Sequence, residues 1–153
     1  MFKLILFLVI NFAALGIGGI LIGNPSTNEW YQSVNKAPWT PPGWMFGFAW
    51  TTIMLCFSIF LFQASNKFSF NDLKVFYILF TVQWILNILW NPIFFRFHFV
   101  FFGLIIIILL TLLVGWFLYW GIKEVGHSGF FVLPYFIWLL TATSLNAYIY
   151  FKN

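Results

Sequence analysis

Residues 99–122 read FVFFGLIIIILLTLLVGWFLYWGI and contain no Lys, Arg, Asp or Glu. About 20 consecutive apolar residues in a helix cross the hydrocarbon core of a bilayer, because the segment then satisfies its own backbone hydrogen bonds. Four further stretches of the chain have the same length and character. Together they predict five transmembrane helices, over residues 4–23, 44–64, 73–95, 99–122 and 130–151.

The overall composition places the chain in lipid. Of its 153 residues, 63% are hydrophobic and 7% are charged, which is too little polar surface to cover a soluble globular domain. The net charge of +4 comes from scattered Lys and Arg residues that form no basic patch, so nucleic-acid binding is not supported. The single cysteine, Cys56, can build neither a disulfide nor a cysteine metal site within one chain.

The lengths of the connectors predict how the helices are arranged. Three of them are short: residues 65–72, 96–98 and 123–129. Consecutive helices must therefore pack antiparallel, and we predict an all-α membrane protein with a single domain over residues 1–153, a bundle of five transmembrane helices. Asn71 or Asp72 is expected to cap the third helix. An odd number of spans puts the termini on opposite membrane faces, whereas the even distribution of Lys and Arg does not orient the bundle.

The connector at residues 24–43 is long and rich in Trp and Pro. Its prolines hold the chain extended, and its large aromatic side chains need a surface to pack on. We expect it to be neither a flexible linker nor a helix, but a partly ordered lid over the mouth of the bundle. An interfacial aromatic belt explains the same composition, and both interpretations stay open. The residues assigned to the lid, the last of them directly after the connector, are Trp30, Lys36, Trp39, Pro41 and Trp44.

Amide and indole side chains share faces inside the predicted spans. Amides are costly in hydrocarbon unless they are paired, so these faces should point into the bundle. They are typical of a small-molecule pocket, but also of side chains that hold helices together, and periodicity does not decide between the two. The residues are Gln83, Asn87, Trp90 and Asn91 in the third helix, Trp138, Ala142, Leu145 and Asn146 in the last helix, and Trp50 in the second.

The distribution of ionisable residues limits the chemistry. Asp and Glu are absent from the middle of every predicted span, so a carboxylate pair for acid–base catalysis or a buried carboxylate proton relay cannot be assembled. His98 and His127 fall in different connectors, and we expect solvated or interfacial histidines there, with no metal site.

Two weaker patterns concern neighbours in the membrane. Gly19 and Gly23 form a G-x-x-x-G motif, which packing within the bundle and dimerisation between chains explain equally well. Leu145, Tyr148 and Lys152 match the loose pattern proposed for cholesterol contact. That pattern arises by chance so often that it indicates sterol binding only weakly.

Three separated blocks of sequence, in order, carry a family resemblance over nearly the whole chain. The blocks are Trp30-Tyr31, Lys36, Trp39, Pro41-Pro42, Trp44, Phe46 and Trp50; Leu86-Asn87, Trp90 and Pro92-Ile93-Phe94-Phe95; and Pro134-Tyr135, Trp138, Ala142-Thr143 and Leu145-Asn146. They resemble the motifs of the TspO/MBR family, the tryptophan-rich sensory proteins and translocator proteins related to the peripheral-type benzodiazepine receptor. The chain is most similar to the bacterial type.

The resemblance implies a five-helix bundle, commonly a homodimer, in the bacterial cell membrane. It also implies a pocket under the first loop that binds tetrapyrroles such as protoporphyrin, while animal members bind cholesterol and synthetic ligands of the benzodiazepine or isoquinoline carboxamide type. The tetrapyrrole is a ligand, and no cofactor or metal is implied. The pocket positions that carry over to this sequence are Tyr31, Pro42, Trp50, Asn87, Trp90, Asn91, Trp138 and Ala142.

Three functions follow from this resemblance and stay open at the level of sequence. The first is a membrane receptor or sensor that binds tetrapyrroles and related flat hydrophobic ligands. The second is an enzyme that degrades porphyrin in light, with Trp50 and Trp138 as the candidate catalytic residues. The third is a facilitated transporter of porphyrins or other hydrophobic ligands, since the spans contain no charged relay for ion-coupled transport.

Overall fold

The computed structural model describes residues 1–22 and 28–153. Most of these residues are helical, and none of them is in a strand. The predicted all-helical class is confirmed. The α-helices are α1 (Phe2–Ile22), α2 (Glu29–Ser33), α3 (Gly43–Lys67), α4 (Lys74–Asn91), α5 (Val100–Trp120) and α6 (Leu133–Lys152). The predicted end of the first helix at Gly23 and the first lid residues, 24–27, lie outside the described residues.

The five long helices agree with the five predicted stretches to within four residues at each described end, while α2 is an addition. By length and apolar composition the described residues contain four candidate membrane spans, because Val100–Lys152 is one continuous helical stretch of 53 residues. Contacts within that stretch show that it folds back on itself. Phe101 packs on Tyr150, and the Thr111 and Thr143 hydroxyls are 3.0 Å apart, so α5 and α6 run antiparallel.

Glycines make this reversal sterically feasible. A π-helical segment, Gly121–Val125, and a 3-10 segment, Gly126–Val132, connect α5 to α6. A Cβ atom on Gly129 would overlap the backbone of Gly121 and Ile122, and Gly126 has φ of +80°, which favours glycine. The turn is therefore a close backbone contact that tolerates no side chain at Gly129.

The five long helices form a closed ring of neighbours whose interior is filled unevenly. Around the bundle the order is α1, α3, α6, α5 and α4, with α4 closing on α1. Aromatic side chains fill the half that is remote from the lid: Phe57 packs on Phe60, on Phe117 and on Tyr135, and each of these four rings is at most 1% exposed. Packing in the half beneath the lid is less complete, and the main cavity lies there.

The two ends of α4 differ from expectation. The prediction that Asn71 or Asp72 caps this helix is wrong, because the Asp72 carboxylate instead accepts hydrogen bonds from Ser69 N at 3.2 Å and Ser69 Oγ at 2.6 Å. At its other end α4 continues into a π-helical segment, Pro92–Arg96, since Pro92 lacks the N–H that a regular helix requires.

Candidate functional site

A cavity of about 510 Å³ lies beneath the lid, in the half of the bundle that the aromatic core leaves open. Its walls come from all five long helices and from the lid. The volume falls within the roughly 300–1,000 Å³ typical of small-molecule sites. Apolar side chains form most of the wall, and a few polar groups interrupt it.

The described part of the lid, residues 28–43, contains one short helix, so the expectation of a non-helical connector was wrong. Asn28 caps α2 by accepting a hydrogen bond from Tyr31 N at 2.8 Å, and its amide nitrogen also donates to the Phe95 carbonyl at 3.1 Å. Trp30 stacks on His98 with ring centroids 4.3 Å apart. This end of the lid is therefore attached to the turn that follows α4.

The other end of the lid is attached to α6. The Trp39 indole N–H donates to Ser144 Oγ at 3.1 Å, and Asn35 N donates to Asn153 Oδ1 at 2.8 Å. Trp39 and Trp44 are nevertheless 54% and 68% exposed, so their rings face outward. Within the described lid, some residues therefore line the cavity, whereas Trp39 and Trp44 lie at its outer surface.

Three indoles line the cavity, and they differ in how they are held. Trp90 stacks on Phe94 with centroids 5.3 Å apart, and its N–H donates to the Asn146 amide oxygen at 3.2 Å when that amide is oriented to satisfy both its neighbours. Trp50 and Trp138 have ring contacts but no hydrogen-bond partner within the described part of the chain. Their indole N–H groups are therefore available to a ligand.

The two asparagines of α4 also have different roles. The Asn91 amide nitrogen donates to the Asn87 carbonyl at 3.0 Å, and this side chain packs so closely on α1 that a Cβ on Gly18 would lie 2.7 Å from its Nδ2. The Asn87 amide lines the same cavity, is 5% exposed, and has no hydrogen-bond partner among the described residues. Asn91 thus holds helices together, while Asn87 has an unused amide at the cavity.

Lys36 supplies the charge at this site. No Asp or Glu lies in the described wall of the cavity, and Lys36 is the charged residue there. Its Nζ donates to Gln32 Oε1 at 2.7 Å and lies 5.0 Å from the centre of the Tyr31 ring. Burial raises the pKa of the Tyr31 phenol above its usual value, so Tyr31 is neutral at physiological pH. The mouth of the cavity therefore carries positive charge.

Comparison with known proteins agrees with this architecture. The family model of the TspO/MBR family matches residues 6–151. The chain belongs to the TspO/MBR family. It is 35% identical over 147 residues to the CrtK protein of Rhodobacter capsulatus, which covers 94% of this chain and 91% of the relative. It is 36% identical over 140 residues to a tryptophan-rich protein TspO of Archaeoglobus fulgidus, covering 92% and 90% of the two chains.

The name of a third relative describes a role for that protein. The tryptophan-rich sensory protein of Cereibacter sphaeroides is 29% identical over 119 residues, which is 78% of this chain and 73% of the relative. The predicted family is confirmed. Family membership and the long apolar helices together make this TspO/MBR protein an integral, multi-pass membrane protein.

The cavity brings together seven of the eight ligand-binding positions predicted in this TspO/MBR protein: Tyr31, Trp50, Asn87, Trp90, Asn91, Trp138 and Ala142. Pro42 does not line it, because this residue precedes α3 and is exposed, although its neighbours Pro41 and Gly43 do. Of the lid residues, Lys36 and Pro41 line the cavity, whereas Trp30, Trp39 and Trp44 do not.

Sequence reasoning missed several wall residues. Phe46 and Phe95 were quoted as motif residues but were not assigned to the site, and Gly19 was interpreted only as part of a motif for packing or dimerisation. Ala14, also on α1, lines the cavity as well. The signal that could have identified the α1 residues is their small size on a helix that must border a cavity. The Leu145, Tyr148 and Lys152 pattern does not form one exposed strip, since Leu145 is only 7% exposed.

Proposed function

We propose that this TspO/MBR protein is a membrane receptor or sensor that binds a flat, hydrophobic tetrapyrrole of the protoporphyrin class in the cavity under the lid. The observation that carries this proposal is the combination of aromatic faces, unpaired donors and one uncompensated cation around a single apolar space. Each feature corresponds to a separate part of such a ligand.

The apolar ring system of a tetrapyrrole needs large, flat contact surfaces. Trp50, Trp90 and Trp138 offer these, and aromatic contacts of this kind contribute about 0.5–1.5 kcal/mol each beyond the buried area. The polar edge of the ligand needs a few donors that the protein has not already used. The Asn87 amide and the N–H groups of Trp50 and Trp138 meet that need.

The carboxylates of protoporphyrin need a positive partner near water. Lys36 lies at the mouth of the cavity, and no described wall residue carries a negative charge that would neutralise it. A ligand bound with its ring inside and its acidic side chains at the mouth would place each part in a matching environment.

The membrane arrangement follows from the helical hairpin of α5 and α6. We propose five crossings of a bacterial cell membrane, with the termini on opposite faces, and a homodimer as the functional assembly. The Cereibacter sphaeroides relative is named a sensory protein, which is consistent with a role in detecting a ligand.

The test is quenching of intrinsic tryptophan fluorescence by protoporphyrin, in detergent and in the dark. Saturable quenching that weakens when Trp50, Trp90 or Trp138 is replaced singly by Phe is the expected result. Trp44→Phe is the matched control, since Trp44 lies outside the cavity wall and is 68% exposed. If protoporphyrin causes only linear, unsaturable quenching in the unmodified protein, the proposal is wrong.

Photo-oxidation of bound porphyrin is the second candidate, and the unpaired indoles of Trp50 and Trp138 favour it. An indole in contact with an excited porphyrin can act as an electron donor or as an oxidation target. Illumination of the same samples in air tests this function. It predicts a new absorbing product that Trp50→Phe or Trp138→Phe abolishes while dark binding is largely retained, and equal loss of binding and product would contradict it.

A further inference from the structure

A second cavity, of about 480 Å³, lies on the outer side of the seam between α3 and α6. It is named the seam groove here. One wall comes from the first half of α3, including Met45, Ala49 and Ile53, and the other from Phe130 and the start of α6, including Leu133 and Ile137. The groove lies beside the main cavity and shares one wall residue with it, Trp138.

The chemistry of the seam groove is that of hydrocarbon. Among its described wall residues, none is charged, and the Thr52 hydroxyl is already used, because it donates to the Phe48 carbonyl at 2.9 Å. The rim residues Phe48, Phe130 and Ile137 are 65%, 53% and 55% exposed. In a multi-pass membrane protein such a rim is continuous with the lipid-facing surface, so hydrocarbon from the bilayer is the occupant that fits it.

Trp138 is the partition between the seam groove and the main cavity, because this side chain lines both. It is 9% exposed and packs edge-to-face on Phe46 with centroids 5.3 Å apart. No hydrogen bond to a described residue fixes its indole, in contrast to Trp90, whose N–H is paired with Asn146. Packing alone holds the ring that separates the two spaces, and a change of its rotamer would join them.

We propose that the seam groove is the membrane-side entrance to the cavity. Acyl chains of the bilayer occupy it at rest, and a hydrophobic ligand dissolved in the membrane passes through it and past the Trp138 ring. The lid therefore need not open to water for the cavity to load. The passage of ligand rests on the proposed function, whereas occupancy by acyl chains does not.

Occupancy is tested without any tetrapyrrole. The full-length protein is placed in phosphatidylcholine vesicles in which a fraction of the lipids carry a photoactivatable diazirine on the acyl chain, and labelled residues are mapped by mass spectrometry after illumination. Label is expected on Ile53 and Trp138, which are only 1% and 9% exposed, and on the lipid-facing Val75 as a positive control. Phe57, at 1% exposure in the filled core, should remain unlabelled.

Passage is tested by the rate of loading from the membrane. Vesicles preloaded with protoporphyrin dimethyl ester are mixed with protein-containing vesicles, and tryptophan quenching is followed over time. Ala49→Phe fills the groove and should slow loading by about tenfold, equivalent to about 1.4 kcal/mol in the barrier, with the same final quenching. Ile137→Ala removes an exposed rim side chain and should accelerate loading, while Leu55→Phe, on α3 but outside both walls, should leave the rate unchanged.

The outcomes test the proposed entrance and the proposed ligand independently of each other. Absence of label on both Ile53 and Trp138, with Val75 labelled, overturns the entrance whatever the ligand experiments give. A loading rate that neither Ala49→Phe nor Ile137→Ala changes also overturns it. Label on Trp138 together with no saturable quenching in the unmodified protein supports hydrocarbon in the groove and refutes the tetrapyrrole as ligand.

Discussion

Replacing Lys36 by Gln should weaken binding of protoporphyrin while leaving binding of its dimethyl ester unchanged. Lys36 is half-buried at the mouth of the cavity, and its Nζ already donates to Gln32 Oε1. The substitution replaces the ammonium group with a neutral amide, so it removes the positive charge and retains a hydrogen-bond donor. A loss of affinity for the acid form but not for the ester then reports the electrostatic contact between Lys36 and a carboxylate.

The magnitude follows from the position of the side chain. Ion pairs at exposed positions contribute about 0.2–1 kcal/mol, and the upper end applies here because no described wall residue competes for the charge. A loss of about 1 kcal/mol corresponds to about a fivefold rise in Kd, since about 1.4 kcal/mol is tenfold. Raising the ionic strength to about 1 M, where the Debye length is about 3 Å, should reduce the difference between acid and ester.

The assay is titration of both ligands by tryptophan quenching in the dark, for the unmodified protein, Lys36→Gln and Lys36→Arg. Lys36→Arg keeps the charge and should retain the preference for the acid. An equal loss of affinity for the acid and the ester in Lys36→Gln would refute the reasoning, because Lys36 would then act through its packing on Tyr31. No loss for either ligand would place the carboxylates away from this residue.

Three further predictions concern single side chains. Overpacking typically costs about 1–3 kcal/mol, and Gly129→Ala should destabilise the protein by about 3 kcal/mol or more, because the new Cβ would overlap backbone atoms. The measurement is thermal stability in detergent. Trp39→Phe removes the 3.1 Å hydrogen bond to Ser144, which contributes about 0.5–1.5 kcal/mol to holding the lid in place. The lid should therefore open more often, and its rate of cleavage by a protease should increase. Asn87→Leu should weaken ligand binding by about 1 kcal/mol while thermal stability is retained, because no described residue pairs with that amide.

Each of these has a matched control. Gly16→Ala should leave stability unchanged, since no described atom beyond the local backbone of α1 lies within 4 Å of the new Cβ, and equal effects at Gly16 and Gly129 would contradict the role of the turn. Trp44→Phe breaks no hydrogen bond to a described residue and should not expose the lid. Asn11→Leu removes a 2.8 Å hydrogen bond to Ser58 Oγ and should lower stability without affecting ligand binding. If Asn11→Leu weakened ligand binding and Asn87→Leu lowered stability instead, the assignment of Asn87 to the ligand would be wrong.

Most of the fold could be predicted because it depends on local properties of the sequence. Apolar length determines each long helix, and short connectors determine antiparallel neighbours. The α5–α6 connection shows where local reasoning stops: a charged, glycine-containing stretch predicts a turn, but only the contact between Gly129 and Gly121 defines its path. The Asp72 cap failed for a similar reason, since the Ser69 hydroxyl competed for the carboxylate.

For the site, the sequence identified the residues that meet but not what each one does. Helical periodicity places Asn87 and Asn91 on one face with equal weight. Their difference arises from Gly18 on another helix, against which Asn91 packs. Trp90 and Trp138 differ in the same way, because only Trp90 has Asn146 within reach of its indole N–H. Such roles depend on contacts between helices, which no single-helix pattern encodes.

The helical hairpin from Val100 to Lys152 has a consequence for biosynthesis. As one straight helix, its 53 residues would extend roughly 80 Å, more than twice the roughly 30 Å of the hydrocarbon core. The α5 helix precedes Gly129 in the chain, so α5 leaves the ribosome before the turn does. Only when the turn and α6 follow can the chain reverse, and α6 is the helix that brings Trp138 to the cavity and Asn146 to Trp90. The cavity wall is therefore completed only after α6 has followed the helices that form its other sides.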